Sequence, residues 1–300
     1  MSNTPGDVTV RITLGVMVLY FGSSFSLYAL ADDAFGVSTV NAIRFAVAAG
    51  VLMIVAARRL GETRPVLRPL LLAGAGGVGL MAVLMTYGID RSSATLAALV
   101  MGTESIGIAL AAAVIARDRP SRNALAGLAI GFTGAAVASG IVTEPPSAVP
   151  LLAVASLIGA VVAFSIYAAI ARKISPGVDS LAVTAVTQVG AAMFAIPAMT
   201  LDLADRGIVR ADITPKAGIA VIVLGLGSAG GYLLLTSVLS HQPAGRVAVA
   251  MYMLPVVGVL VAWALTGRQP YGRDAIGGSL IILAVWLSER RTAEATTSAP

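Results

Sequence analysis

Apolar residues in this chain gather into ten runs, near positions 12–30, 39–57, 70–89, 94–115, 124–142, 150–171, 179–200, 217–240, 245–265 and 275–288. At 1.5 Å per residue, about 20 residues carry a helix across some 30 Å of hydrocarbon, and most of the runs reach that length. None alternates apolar and polar positions as a half-buried strand does, so the pattern predicts helices and no sheet. Short patches rich in Arg, Asp, Pro and Gly separate the runs, as at 58–68 and 116–123. Connections this short make consecutive helices antiparallel neighbours.

The pattern also repeats. The stretch Ala94–Gly127 reappears without a gap as Ala244–Gly277, shifted by 150. Ala94, Ala98, Met101, Leu110, Ala112, Pro120 and Gly127 fall on Ala244, Ala248, Met251, Leu260, Ala262, Pro270 and Gly277. Ala-rich membrane helices resemble one another cheaply, but the ungapped register and the shared loop proline favour duplication. Gly74, Gly76 and Gly79 of the third run echo Gly225, Gly227 and Gly230 of the eighth, at an offset of 151. Phe25–Ala29 of the first run echoes Phe164–Ala168 of the sixth at an offset of 139; setting Phe21 on Phe164, one turn away, matches about as well. Each half holds five helices, an odd number, so the halves must cross the membrane in opposite senses. The expected fold is an all-α polytopic membrane protein of ten transmembrane helices in two inverted five-helix repeats, 1–145 and 146–290, followed by a tail at 291–300. Inverted repeats of this kind build carriers whose site lies at the midplane between the halves.

Composition fixes the solvent. The 300 residues are 57% hydrophobic and 12% charged, with a mean hydropathy of +0.90. No soluble domain of this size hides that much apolar surface. In lipid every backbone polar group must be satisfied internally, which again selects helices. The net charge of +5 does not indicate nucleic acid, because the basic residues sit in inter-helix loops. With the N-terminus inside, 13 Arg and Lys residues fall in cytoplasmic segments and 6 in outer ones, leaving Arg44 within a helix. The positive-inside rule then puts both termini in the cytoplasm. Met1–Val10 has no basic region before a cleavage site, so the first run is read as retained. The predicted location is the bacterial inner (plasma) membrane, multi-pass. The chain has no cysteine, hence no disulfide, thiol nucleophile or thiolate metal site.

Several of these residues carry a resemblance to a known family. Phe21-Gly22-Ser23-Ser24-Phe25, Arg44, the Ala94–Gly127 block with its repeat, and Met253-Leu254-Pro255-Val256 resemble the drug/metabolite transporter superfamily, in particular its ten-helix EamA-type carriers. The resemblance covers nearly the whole chain and is closest to the amino-acid exporters among them. It implies small-metabolite substrates, most often exported. Where that family has Pro in the fourth helix this chain has Ser105, and its usual Gly-Glu after helices four and nine is Arg117-Asp118 and Gly267-Arg268 here.

Candidate chemistry is sparse, which makes it readable. Glu104 is the acid deep in an apolar run, where a carboxylate needs a partner, water or a proton. It either binds a substrate ammonium or loads a proton, or it bonds a neighbouring helix. Arg44 offers a planar fork to a substrate carboxylate; snorkelling to the outer surface and pairing with Glu104 are the other readings. Gln188, with Thr184 and Thr187, gives the seventh helix a polar stripe that suits either ligand or helix contacts. Tyr20, Tyr167, Tyr232 and Tyr252 lie deep enough that their hydroxyls need partners, and are pocket candidates. Ser24 and Met101 complete the substrate-binding set. Pro255 removes a backbone bond to Met251 and, with Gly258, is the candidate hinge. The glycine clusters read as sites of close helix approach, since neither precedes Lys-Ser or Lys-Thr as a phosphate loop does.

An enzyme is not predicted. The sole histidine, His241, stands at a helix junction, and no metalloprotease motif, Cys nucleophile or membrane Asp pair is present. No metal and no cofactor are expected. The expected function is export of small metabolites, foremost amino acids, by alternating access, with the substrate, the bilayer and, as an open question, protons as partners. A proton-coupled exporter or importer of other metabolites or cationic drugs, and a passive channel, stay open as alternatives.

Overall fold

A computed structural model of the chain describes residues 5–91, 100–101, 103–139, 151–206, 214–266 and 272–290. The start of the repeated block at Ala94–Leu99, the tail 291–300, and Glu144, Arg210 and Arg268 of the outer segments lie outside the described residues. So do the side chains of Phe25, Tyr28, Asp32, Asp33 and Pro255.

Among the described residues all regular structure is helical. Helix α1 (Pro5–Phe35) turns at Gly36, whose φ of 72° suits a residue without a Cβ, into α2 (Val37–Ala56). After a 3-10 segment (Leu60–Val66), α3 (Leu67–Ala73), a π-helical turn (Gly74–Gly79) and α4 (Leu80–Asp90) form one continuous rod. Helix α5 (Glu104–Ala111) runs into a second π-helical turn (Ala112–Ala116) and stops at Arg117, which is left-handed at φ 55°. There follow α6 (Arg122–Ser139), α7 (Leu151–Ile174), α8 (Ser180–Arg206), α9 (Pro215–His241), the pair α10 (Ala244–Met251) and α11 (Met253–Thr266), and α12 (Gly272–Arg290). Polar residues set the starts: Ser121 accepts from Ala124 N at 3.1 Å, Asp179 from Leu181 N at 3.0 Å, and Thr214 from Ala217 N at 3.2 Å ahead of Pro215. The described elements make ten rods, one for each apolar run.

Among the described residues, five stretches, Ser38–Ala56, Leu60–Gly88, Leu151–Gly177, Ser180–Leu201 and Pro215–His241, are long and apolar enough to cross a bilayer. Ile54, Leu72, Val114 and Ile219 point outward, as a lipid-facing surface requires.

The rods are interlaced rather than segregated by half. Helix α1 packs on α9 and α11, while α7 packs on α4 and α5; α2 packs on α8, and α6 on α12. Exchanging each rod with its counterpart in the other half reproduces this pairing, as a duplicated five-helix unit demands. Glycines allow the close crossings. A Cβ on Gly74 would meet the Thr187 carbonyl, and one on Gly225 would meet Val47 at 2.7 Å. These equivalent contacts match Val47 with Thr187, so Arg44 of α2 corresponds to Thr184 of α8.

The packing also decides the register left open between the first and sixth helices. A Cβ on Gly22 would lie 2.7 Å from Val257, and Gly107, 150 residues before Val257, faces Ser165 and Val161. Gly22 of α1 therefore holds the place of Ser165 in α7, a shift of 143. Phe21 corresponds to Phe164, and Tyr20 to Ala163.

Candidate functional site

Near the middle of the bundle a polar and aromatic cluster joins the two halves. Arg44 is the eighth residue of α2, about 10 Å along the helix axis, and is only 7% exposed. Its Nε donates to Ser228 Oγ in α9, across the interface between the halves. The guanidinium carbon lies 4.8 Å from the Phe45 ring centre and 6.0 Å from that of Tyr232. A side chain so buried and so bonded is not snorkelling, which removes one of the readings open in the sequence. Ser228 Oγ in turn donates to the Leu224 carbonyl at 2.6 Å, and the Tyr20 hydroxyl lies 3.0 Å from that carbonyl and 2.9 Å from Ser228 Oγ.

Aromatic rings continue the cluster across three helices. Phe164 and Tyr167 of α7 lie 5.6 Å apart, Tyr167 and Tyr232 of α9 6.2 Å, Tyr232 and Phe21 of α1 5.4 Å, and Phe21 and Tyr20 5.2 Å. The Tyr167 hydroxyl faces Thr187 and Thr236 without a hydrogen bond of ordinary geometry. Both amide atoms of the fully buried Gln188 lack a hydrogen-bond partner among the described residues. Buried amides and hydroxyls without partners are costly, and they are groups that a polar ligand or water can satisfy.

Glu104 belongs to a different feature. It opens α5 immediately after a backbone irregularity at Thr103, whose N–H bonds Val100 O at 3.0 Å, three residues back. A carboxylate in the first turn of a helix is favoured by the helix dipole. Among the described residues Glu104 has no hydrogen bond or ion pair, so it is not the structural partner of Arg44. The second half carries the matching break: Tyr252 N bonds Val249 O at 3.2 Å, and α11 restarts at Met253, 150 after Thr103. Pro255 lies in α11 three residues past that break, and Gly258 follows half-buried. The first half breaks at the same level with Ser105 in place of the proline, so the irregularity belongs to the duplicated scaffold.

The remaining candidates disperse. Tyr252 is turned to α6: its hydroxyl donates to Leu128 O at 3.1 Å, and its ring covers Gly131. Ser24 donates to the Phe21 carbonyl of its own helix at 2.6 Å. Met101 packs half-buried against the main apolar core. Thus Tyr20, Arg44, Tyr167 and Tyr232 meet in one cluster; Ser24 touches it only through the Phe21 carbonyl, and Glu104 and Tyr252 make no hydrogen bond with it among the described residues. Sequence reasoning missed Ser228, which lies among small residues read as pure packing. The signal was its polarity at the position where the other half has Gly77.

At the basic end of the bundle the helices are tied together. Arg172 Nε donates to Asp118 Oδ2 at 2.9 Å, and the same oxygen accepts from Ala244 N at 2.9 Å at the start of α10. Arg172 also caps α9 through the Leu239 carbonyl at 2.9 Å. Arg59 pairs with Asp179 at 2.6 Å. One network therefore holds the ends of α7, α9 and α10 and the loop before α6.

Comparison with known proteins agrees with this architecture. The model of the EamA-like transporter family matches twice, over residues 11–140 and 151–290. A protein of Streptantibioticus cattleyicolor, described as a "Probable terminal-alkyne amino-acid exporter", is 30% identical over 285 residues, covering 93% of both chains. A solved crystal structure of a protein 18% identical superposes with a TM-score of 0.78, covering 94% of this chain and 97% of the other.

Proposed function

The chain belongs to the EamA-like transporter family and is a multi-pass membrane transporter rather than an enzyme, and on that premise we propose that it exports amino acids by alternating access. The observation that carries the proposal is Arg44, a permanent cation buried between the halves. At that interface the planar guanidinium presents a fork that fits a substrate carboxylate bidentately. The rings of Phe21, Tyr167 and Tyr232 receive the apolar part of the substrate. Tyr20, with Ser228, holds Arg44 in place, and Gln188 accepts polar atoms of the substrate. Glu104 serves the ammonium group or a proton as the halves rock, with Ser24, Met101 and Tyr252 bordering the path. The paired breaks before Glu104 and Met253, with Pro255 and Gly258, are the hinges. The relative described as an amino-acid exporter supports this choice of substrate class.

The network of Asp118, Arg172 and α10 closes the basic end in this conformation. That end faces the cytoplasm in the proposed orientation, with both termini inside the bacterial inner membrane. Asp118 and Arg172 are half-buried, so water can take over their partners when the gate opens.

Counterflow in proteoliposomes tests the proposal. Purified protein preloaded with an unlabelled L-amino acid should accumulate the labelled one transiently and saturably. A Gly61→Cys variant, labelled with an impermeant maleimide in the same vesicles, reports which face each molecule presents; Gly61 is exposed. Uptake without counterflow would mean a channel, and absence of counterflow across an amino-acid panel would overturn the substrate class.

A further inference from the structure

A cavity of about 820 Å³ opens on the outside of the bundle between the α3–α4 rod and α7, and Arg44 is not among the residues that line it. Its walls include Leu72, Ala73, Gly76, Ala163, Ile166 and Ile170, nearly all apolar, with the buried Tyr167 behind them. Arg68 and Lys173 stand at its rim, at the basic end of the bundle, and both are exposed. Neither makes a hydrogen bond or an ion pair with another described residue.

The other half shows why the slot is open. The counterpart of Gly76 is Gly227, against whose Cβ position the Tyr20 ring is packed. A Cβ on Gly76 would meet nothing within 4 Å. Where α1 carries Tyr20, α7 carries Ala163, so the slot is the space of a missing aromatic side chain. The rim cations are equally one-sided: Ile219 and Leu30 hold the positions of Arg68 and Lys173. An elongated apolar groove facing lipid, with two cations where it reaches the membrane surface, matches one occupant by shape and by charge.

We propose that this groove binds an anionic phospholipid, one acyl chain lying along Gly76 and Ala163 and the phosphate held between Arg68 and Lys173. Beside Ala163 the acyl chain fills the place that the Tyr20 ring fills in the other half. The proposal does not depend on which metabolite the protein moves.

Native mass spectrometry of the full chain in mild detergent, with phosphatidylglycerol and phosphatidylcholine of identical acyl chains, tests it. Each basic residue near anionic lipid contributes about five-fold, so the wild type should hold one phosphatidylglycerol on the order of 30-fold more tightly than phosphatidylcholine. Arg68→Gln combined with Lys173→Gln should bring that ratio close to unity while leaving one lipid of either kind bound. Gly76→Leu enters open space and should fold, yet it should exclude both lipids. Glycerol phosphate at millimolar concentration should displace neither lipid. Equal binding by the wild type, a preference kept by the glutamine pair, a lipid retained by Gly76→Leu, or displacement by glycerol phosphate or by a transported amino acid would each overturn the proposal.

Discussion

The α3–α4 rod and α9 carry the same glycine pattern, and they use it differently. In α9 the pattern receives Tyr20 over Gly227 and Gly231, and Ser228 between them engages both Tyr20 and Arg44. In the α3–α4 rod the position of Ser228 is Gly77, the position of Tyr20 is Ala163, and the groove beside them stays open. The two charges follow the same rule. Arg44 has Thr184 as its counterpart, and Glu104 has Leu254. Duplication thus supplies a shape twice, and a few substitutions add chemistry once. Packing alone would be served by the uncharged version, as the opposite half shows in each case.

That contrast is breakable at several strengths. The largest effect is expected at Gly74, where a Cβ would clash with the Thr187 carbonyl. Gly74→Leu should yield no monodisperse protein, because backbone cannot retreat as a side chain can; the cost should exceed the roughly 1–3 kcal/mol typical of overpacking. Gly76→Leu, two residues on in the same turn, should run normally on size-exclusion chromatography. Similar behaviour of the two variants would contradict this packing of the two halves.

Glu104→Gln keeps size and hydrogen bonding but removes the charge. If Glu104 receives an ammonium, amino-acid affinity should fall about 10- to 100-fold at every pH, the range of a charge-assisted bond. If it carries a proton, exchange should persist while proton-driven accumulation disappears. Wild-type transport by this variant at all pH values would assign Glu104 to helix contacts alone.

A smaller effect is expected at the hinge. Pro255→Ala restores one backbone donor, worth about 0.5–1.5 kcal/mol, and should slow counterflow roughly two- to ten-fold at unchanged expression. The first half breaks at the same level without a proline, so the variant should be slowed and not arrested. Unchanged kinetics would make Pro255 a packing residue.

Most of the fold was legible in the sequence, because lipid leaves few options. Ten apolar runs became ten rods, and an ungapped repeat became an interlaced pair of five-helix units. What stayed hidden depended on three-dimensional contact. The choice between Phe21 and Phe25 as the mate of Phe164 required Gly22 to be seen against Val257 and Gly107 against Ser165. Arg44 was visible as a charge, but its depth became clear only from a helix starting at Val37 and from the bond to Ser228. Ser228 was hidden because a serine among glycines looks like one more small residue. The partner of Tyr252 was hidden too, since nothing local reveals that Gly131 on another helix receives its ring.

The central claim is that Arg44 reads a substrate carboxylate between the halves, and a chemical double cycle tests it most directly. Counterflow affinity is measured for an L-amino acid and for its amino alcohol, in which a CH₂OH group replaces the carboxylate, with wild type and with Arg44→Ala. The wild type should prefer the amino acid by about 10- to 100-fold, as a bidentate charged pair predicts, and the Arg44→Ala protein, still folded and still exchanging, should bind both alike. An undiminished preference for the carboxylate in that variant would contradict the account.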